Sequence, residues 1–217
     1  MIHFRSVSKI YSDDVFALKG IDLSVAKGEF VFVTGSSGAG KSTLLKLIYG
    51  GLKPTDGTVA VGGSVVDDLS PYKLAILRRQ MGIVFQDFKL LWDRTVFENI
   101  CLPFAMWGKL TEENKEIVEV MMKKFDIWKY ESAFPHKLSG GEQQKAAICR
   151  ALVTSPWILI ADEPTGNLDP DSAAEVFNMF YEASQRGSTV VFATHNEHLL
   201  SLHRGRMIKL EKGRLFL

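Results

Sequence analysis

With 217 residues, 46% of them hydrophobic and 24% charged, the chain has a globular composition and enough length for a real core in one or two domains. A net charge of +1 argues against a general polyanion binder, though not against a local basic patch. No apolar run approaches the roughly 20 residues of a membrane span, and the N-terminus has no signal-peptide pattern.

In chain order, Ile2–Val7, Phe16–Val25 and Phe30–Val33 read as strands. The third runs into Gly35-Ser36-Ser37-Gly38-Ala39-Gly40-Lys41-Ser42-Thr43, and the helix-like run Leu44–Tyr49 follows. This setting turns a G-x-x-x-x-G-K-[ST] pattern into a phosphate-binding loop, because glycines let the backbone wrap phosphate oxygens and the new helix aims free N–H groups at the anion. Lys41 is placed to reach the β- and γ-phosphates and the Ser42 hydroxyl to ligate Mg²⁺. A flexible Gly/Ser turn is the alternative, and the strand–loop–helix context weighs against it.

Thr58–Val61 and Gly82–Phe85 continue the strand pattern, and the chain is then helix-rich from about Phe88 to Leu152. The clearest helix begins at Thr111, carries Glu112 and Glu113 in its first turn, and repeats Val118, Met121, Met122 and Phe125 on one face. Cys101 and Cys149 fall in separate helix-like segments without C-x-x-C spacing, which reads as unpaired buried thiols in a reducing cytoplasm. Ser139 with Glu142 forms a capping box ahead of the expected helix Gln143–Leu152. A cap does not call for Gly140 and Gly141 at the first two positions, where helix propensity is lost. They make sense where a phosphate approaches the helix start.

Trp157–Ala161 and Thr189–Ala193 read as fully buried strands. The first delivers Asp162 and Glu163 at its carboxyl end, the edge where open α/β sheets bind ligands. Asp162 suits the Mg²⁺ shell through water, and Glu163 suits the orientation of an attacking water. A solvated turn before Pro164 is the other reading of two adjacent acids. The fold expected is an α/β core with a helical insertion.

Leu138–Gln143 resembles the signature sequence of the ATP-binding cassette (ABC) ATPases. Gln86 resembles that family's Q-loop glutamine, Asn167-Leu168-Asp169 its D-loop, and His195 in Ala193-Thr194-His195-Asn196 its switch histidine. Tyr11 stands where the family stacks an aromatic ring on adenine. With the phosphate loop and the acidic strand end, the motifs run in family order over nearly the whole chain. Lys145 departs from the usual Arg, which keeps the charge but loses the planar fork.

The resemblance implies an α/β P-loop NTPase core with an N-terminal antiparallel β-subdomain and an inserted helical subdomain. Residues 1–87 and 156–217 would form the core, and 88–155 the helical part carrying the signature. It implies ATP hydrolysis with Mg²⁺, and a head-to-tail homodimer that sandwiches ATP. Gly35, Ser36, Ser37, Gly38, Ala39, Gly40, Lys41, Ser42 and Thr43 of one copy would face Ser139, Gly140, Gly141 and Glu142 of the other, with Asp169 signalling across the dimer, although Asp169 also reads as an N-cap before Pro170 at the first helical position. Glu163, His195, Lys41 and Gln86 take the catalytic roles, Ser42, Gln86 and Asp162 the metal, and Tyr11 the base. Metal ligation by His195 and His198 is a competing reading that lacks a third and fourth ligand.

Phe85–Ile100, with Asp93-Arg94-Thr95-Val96, is most similar to the family's bacterial cell-division branch. That branch implies an FtsX-like integral membrane partner, control of peptidoglycan hydrolysis, a peripheral place on the cytoplasmic face of the inner membrane, and no nucleic-acid partner. Phe88, Leu90, Leu91 and Trp92 are candidates for the surface that meets the partner, with core packing as the alternative for each. Pro164–Asp169 is shared with lipoprotein-releasing and macrolide-export ATPases, so an exporter subunit is the competing assignment. A soluble ABC protein acting on DNA or ribosomes would bring tandem cassettes or a long coiled coil. The absence of a C-terminal extension speaks against a sugar importer with a regulatory domain.

Overall fold

Continuous apolar strands need both faces covered, and the chain meets that need with two cores on either side of one sheet. The computed structural model describes residues 1–11, 15–108, 110–166, 168–196, 200 and 205–216. Strands β1 (Ile2–Ile10), β2 (Phe16–Val25), β4 (Asp56–Val61) and β5 (Ser64–Val65) form an antiparallel sheet in the order β2-β1-β4-β5. Strands β3 (Phe30–Thr34), β6 (Met81–Val84), β7 (Ile158–Asp162), β8 (Thr189–Ala193), β9 (Arg206–Glu211) and β10 (Arg214–Phe216) form the second sheet, ordered β10-β9-β3-β8-β7-β6. All its pairings are parallel except that of β10 with β9.

Successive side chains on these strands point to opposite faces, so each strand feeds both cores. Phe30, Phe32, Leu159, Val190 and Phe192 point to one core, where they meet Phe177 and Phe180 of α6 (Pro170–Gln185). The Phe32 and Phe177 rings stack at 5.8 Å, and Phe180 meets Phe192 edge-on at 5.3 Å. Val31, Val33, Ile158, Ile160 and Val191 point the other way, toward α1 (Lys41–Ile48) and the antiparallel sheet. Lying between the two sheets, α1 buries six of its eight residues.

Helices α3 (Val96–Met106), α4 (Glu112–Lys124) and α5 (Gly140–Leu152) pack on the first core. Thr111 caps α4, which buries Val118 and Met122; Phe125 follows at its C-terminus, while Met121 is half-buried. The capping box at Ser139 is present, but the helix starts at Gly140 rather than Gln143. The cap bonds pull both glycines into the first turn. A second capping box, Thr95 with Glu98, starts α3 and lies outside the sequence expectations. So do α2 (Pro71–Arg79), β5, β9 and β10: α2 buries none of its residues, and the strands are short or largely exposed. Among the described residues no helix is long and apolar enough to cross a membrane.

Of the four candidate partner-contact residues, Leu90 is buried in the first core and Phe88 packs against it, while Leu91 and Trp92 are exposed. Cys101 and Cys149 are free and buried, on α3 and α5. Burial pushes the Cys101 thiol up to about 11 and that of Cys149 well above its usual value. Since the thiolate is the reacting form, a thiol-reactive dye at pH 8 should label neither in the native protein and both in denaturant. Rapid native labelling would show that this core opens.

Candidate functional site

The site is built where β3 ends and α1 begins. Gly35 and Gly40 take φ of 143° and 110°, and a Cβ at either would come within 2.3 Å of the Leu210 carbonyl or 2.5 Å of the Ala17 carbonyl. Only glycine lets the loop lie that close to its neighbours. The first turn of α1 has no side-chain cap and no acidic residue, leaving its N–H groups available to an anion. Lys41 is buried and curls over the loop, its Nζ donating to the Gly35 carbonyl at 2.7 Å and the Ser36 carbonyl at 3.2 Å.

Strand order brings the other charged groups in. Because β8 lies between β3 and β7, the residue two places past its end, His195, comes beside the residue just past β7, Glu163. Glu163 Oε1 lies 3.2 Å from His195 Nδ1 and 3.5 Å from Lys41 Nζ. Glu163 holds φ at 50°, a costly conformation for a side-chain-bearing residue, and its N–H donates to the Ala193 carbonyl at 3.0 Å. One carboxylate therefore faces two nitrogen groups where the strands converge.

Asp162, one residue earlier, has its charged form favoured by the Ser42 hydroxyl. Burial raises its pKa, and Glu163 adds to the rise, while Ser42, Lys41 and Lys46 pull it down. A cation at this place would favour the ionised form. Ser42, Asp162 and Gln86 offer hard oxygen donors, and among the described residues no cluster of three or more His, Cys, Asp or Glu could hold a metal. Few protein ligands, with the rest of the shell from water and phosphate, is the habit of Mg²⁺, so the residues fit that ion.

A cavity of about 650 Å³ opens over the loop, lined by Tyr11, Ser36, Ser37, Gly38, Gly40, Lys41, Ser42, Thr43, Gln86, Glu163 and His195. That volume suits a nucleotide. The Tyr11 hydroxyl lies 3.2 Å from Thr43 Oγ1 at the cavity's edge. Val15, Phe16 and Ala17 also line it, an outer wall absent from the sequence reading; their position just after Tyr11 was the available signal.

Ser139, Gly140, Gly141, Glu142 and Asp169 do not line this cavity. Ser139 and Gly140 are exposed, and Glu142 is held below the usual carboxylate range first by the Tyr130 hydroxyl and then by Ser139. Asp169 is an exposed N-cap of α6, accepting from the Ser172 N–H at 3.0 Å. Asn167 and His198 lie outside the described residues.

A glycine-rich turn between strand and helix, its lysine and hydroxyl, and carboxylates at a nearby strand end define a P-loop nucleoside-triphosphate hydrolase. The family model described as ABC transporter matches residues 18–166, and a model described as an AAA domain, putative AbiEii toxin, Type IV TA system, matches 135–201. The chain belongs to the ABC transporter family and is one of its ATPases. It is 42% identical to the cell division ATP-binding protein FtsE of Bacillus subtilis, over 98% of this chain and 93% of that protein. It is also 42% identical to the FtsE of Escherichia coli K12, over 99% and 97%. The dimeric structure of MJ0796, a bacterial ABC transporter cassette, superposes with a TM-score of 0.93 at 34% identity, covering 100% of this chain and 97% of that one. Its dimeric post-hydrolysis state, bound to ADP and Pi, superposes equally well at 33% identity and the same coverage.

Proposed function

We propose that this chain is the ATP-hydrolysing subunit of a membrane complex of cell division, FtsE-like, joined to an FtsX-like integral membrane partner. The near full-length similarity to proteins named for that role carries the reading. Working as a head-to-tail homodimer on the cytoplasmic face of the inner membrane, it would convert closure and reopening into a signal that controls peptidoglycan hydrolysis. Separation supports the two-copy site: Ser36–Gly38 and Gly40–Thr43 line the cavity, while the helix start at Ser139 lies outside it and is exposed.

Tyr11 would stack the base, and the loop amides with Lys41 would hold the β- and γ-phosphates. Ser42, Asp162 and Gln86 would hold Mg²⁺, which when bound would neutralise phosphate charge. On substrate binding Lys41 exchanges its contact with Glu163 for phosphate oxygens. Glu163 then takes a proton from water as its oxygen bonds to the γ-phosphorus and the bridging P–O bond to ADP breaks. His195 donates to a γ-phosphate oxygen, and Ser139 of the second copy completes the cage. Residues 1–87 and 156–217 act as the core, and 88–155 as the helical part that moves against it. The exposed Leu91 and Trp92 and a cleft of about 440 Å³ between β6 and α3 would seat a helix of the membrane partner.

Glu163→Gln purified from membranes with MgATP tests the assignment. Recovery of an FtsX-like protein with a large extracytoplasmic loop is expected. A lipoprotein-release or drug-efflux permease would make this an exporter subunit, and no membrane protein with ATP still bound would make it a soluble member of the family.

A further inference from the structure

The segment from Gln86 to Leu91 joins the nucleotide cavity to the helical layer, and its shape is unusual. Phe88 and Lys89, neither of them glycine, take successive left-handed conformations at φ 59° and 50°. Such a pair persists only where surrounding contacts hold it. The ends of the segment are fixed. Gln86 lines the cavity just past β6. Leu91 is tied to α3 by the fully buried Asn99, whose Oδ1 accepts from the Leu91 N–H at 2.7 Å and whose Nδ2 donates to the Leu91 carbonyl at 3.0 Å.

The strained middle is held by Arg150, near the end of α5. Its Nη2 donates to the Phe88 carbonyl and its Nη1 to the Lys89 carbonyl, both at 2.7 Å. A planar guanidinium can serve two adjacent carbonyls at once, which an ammonium cannot do with the same geometry. Burial lowers the Arg150 pKa to about 10 with no carboxylate offsetting it, so the charge is kept there at a cost and spent on these two carbonyls. The same helix begins at Ser139, so one rigid element links the exposed signature end to the backbone two residues past Gln86.

We infer that Arg150 is a positioning residue for ATP hydrolysis: its fork holds residues 88–89 in the shape that presents Gln86 to the nucleotide cavity and ties that shape to the signature helix α5. The inference rests on the role proposed for Gln86. Arg150 touches neither nucleotide nor metal; it acts through Gln86. Nucleotide affinity, set by Tyr11 and the loop 35–43, should not depend on it, whereas turnover should.

The test compares Arg150→Met, Arg150→Lys, Gln86→Ala and the double variant Gln86→Ala/Arg150→Met in the full-length chain. Thermal melting and binding of a fluorescent ATP analogue accompany steady-state ATPase kinetics. Arg150→Met is expected to lower kcat about 10- to 100-fold with analogue affinity and KM within about twofold of wild type, and Arg150→Lys to restore only part of kcat. The double variant should be no slower than Gln86→Ala, because both changes disable one element. If Gln86→Ala loses turnover while Arg150→Met retains wild-type kcat, the positioning role is wrong and the Gln86 role stands. If Gln86→Ala turns over normally, the Gln86 role fails and the inference falls with it. Multiplicative losses in the double variant, or a loss of analogue binding in Arg150→Met, would show a general structural role instead. Should Arg150→Met not fold, Arg150→Lys alone and combined with Gln86→Ala is judged by the same criteria.

Discussion

Glu163→Gln is expected to lower ATP hydrolysis on the order of 10²- to 10⁴-fold, about 3–5 kcal/mol of barrier, while ATP binding holds or tightens. The amide keeps the size of the side chain but cannot accept the proton from water. In the free protein Oε1 stands 3.5 Å from Lys41 Nζ and 3.2 Å from His195 Nδ1, so its charge competes with phosphate for both. Removing that charge favours the nucleotide, and an ATP-bound dimer should become visible by light scattering. Phosphate release at close to the wild-type rate would remove Glu163 from the role of base.

Lys41→Ala should instead abolish nucleotide binding itself, weakening MgATP by about 3 kcal/mol or more, upward of 100-fold. Lys41 is buried, points its charge across the loop, and is held by two carbonyls that cannot themselves contact an anion favourably. Its loss leaves the phosphate oxygens facing those carbonyls and Glu163. Calorimetric titration with MgATP checks this, with a melting curve of the free variant to confirm folding. Tight binding retained in Lys41→Ala would count against the loop 35–43 as the phosphate cradle.

The clearest parts of this molecule in the sequence are those made by neighbours in the chain. The loop and helix at 35–48, the capping box at Ser139 and the Asp169 cap before Pro170 depend on hydrogen bonds spanning a few residues, and residue types there encode them directly. The elements absent from the reading are those with little local signal: α2 buries nothing, β5 is two residues long, and β9 buries only Ile208 and Leu210. Arg150 was equally silent, since an arginine near a helix end is an ordinary surface residue until its distant carbonyl partners are known.

By itself, then, the sequence determined that a phosphate-binding turn follows one buried strand, that carboxylates end another, and that a histidine follows a third. Tertiary structure alone decided that these three ends meet. β7 and β8 are both continuous apolar runs buried on both faces, and hydrophobicity does not record which of them lies beside β3. Placing β8 between β3 and β7 sets His195 against Glu163 and Glu163 against Lys41. The same is true of Gly35, whose lack of a side chain is required by the Leu210 carbonyl of β9. Local patterns follow from short-range hydrogen bonds and periodicity; the choice of strand neighbour follows from how two cores are filled at once, which no single segment specifies.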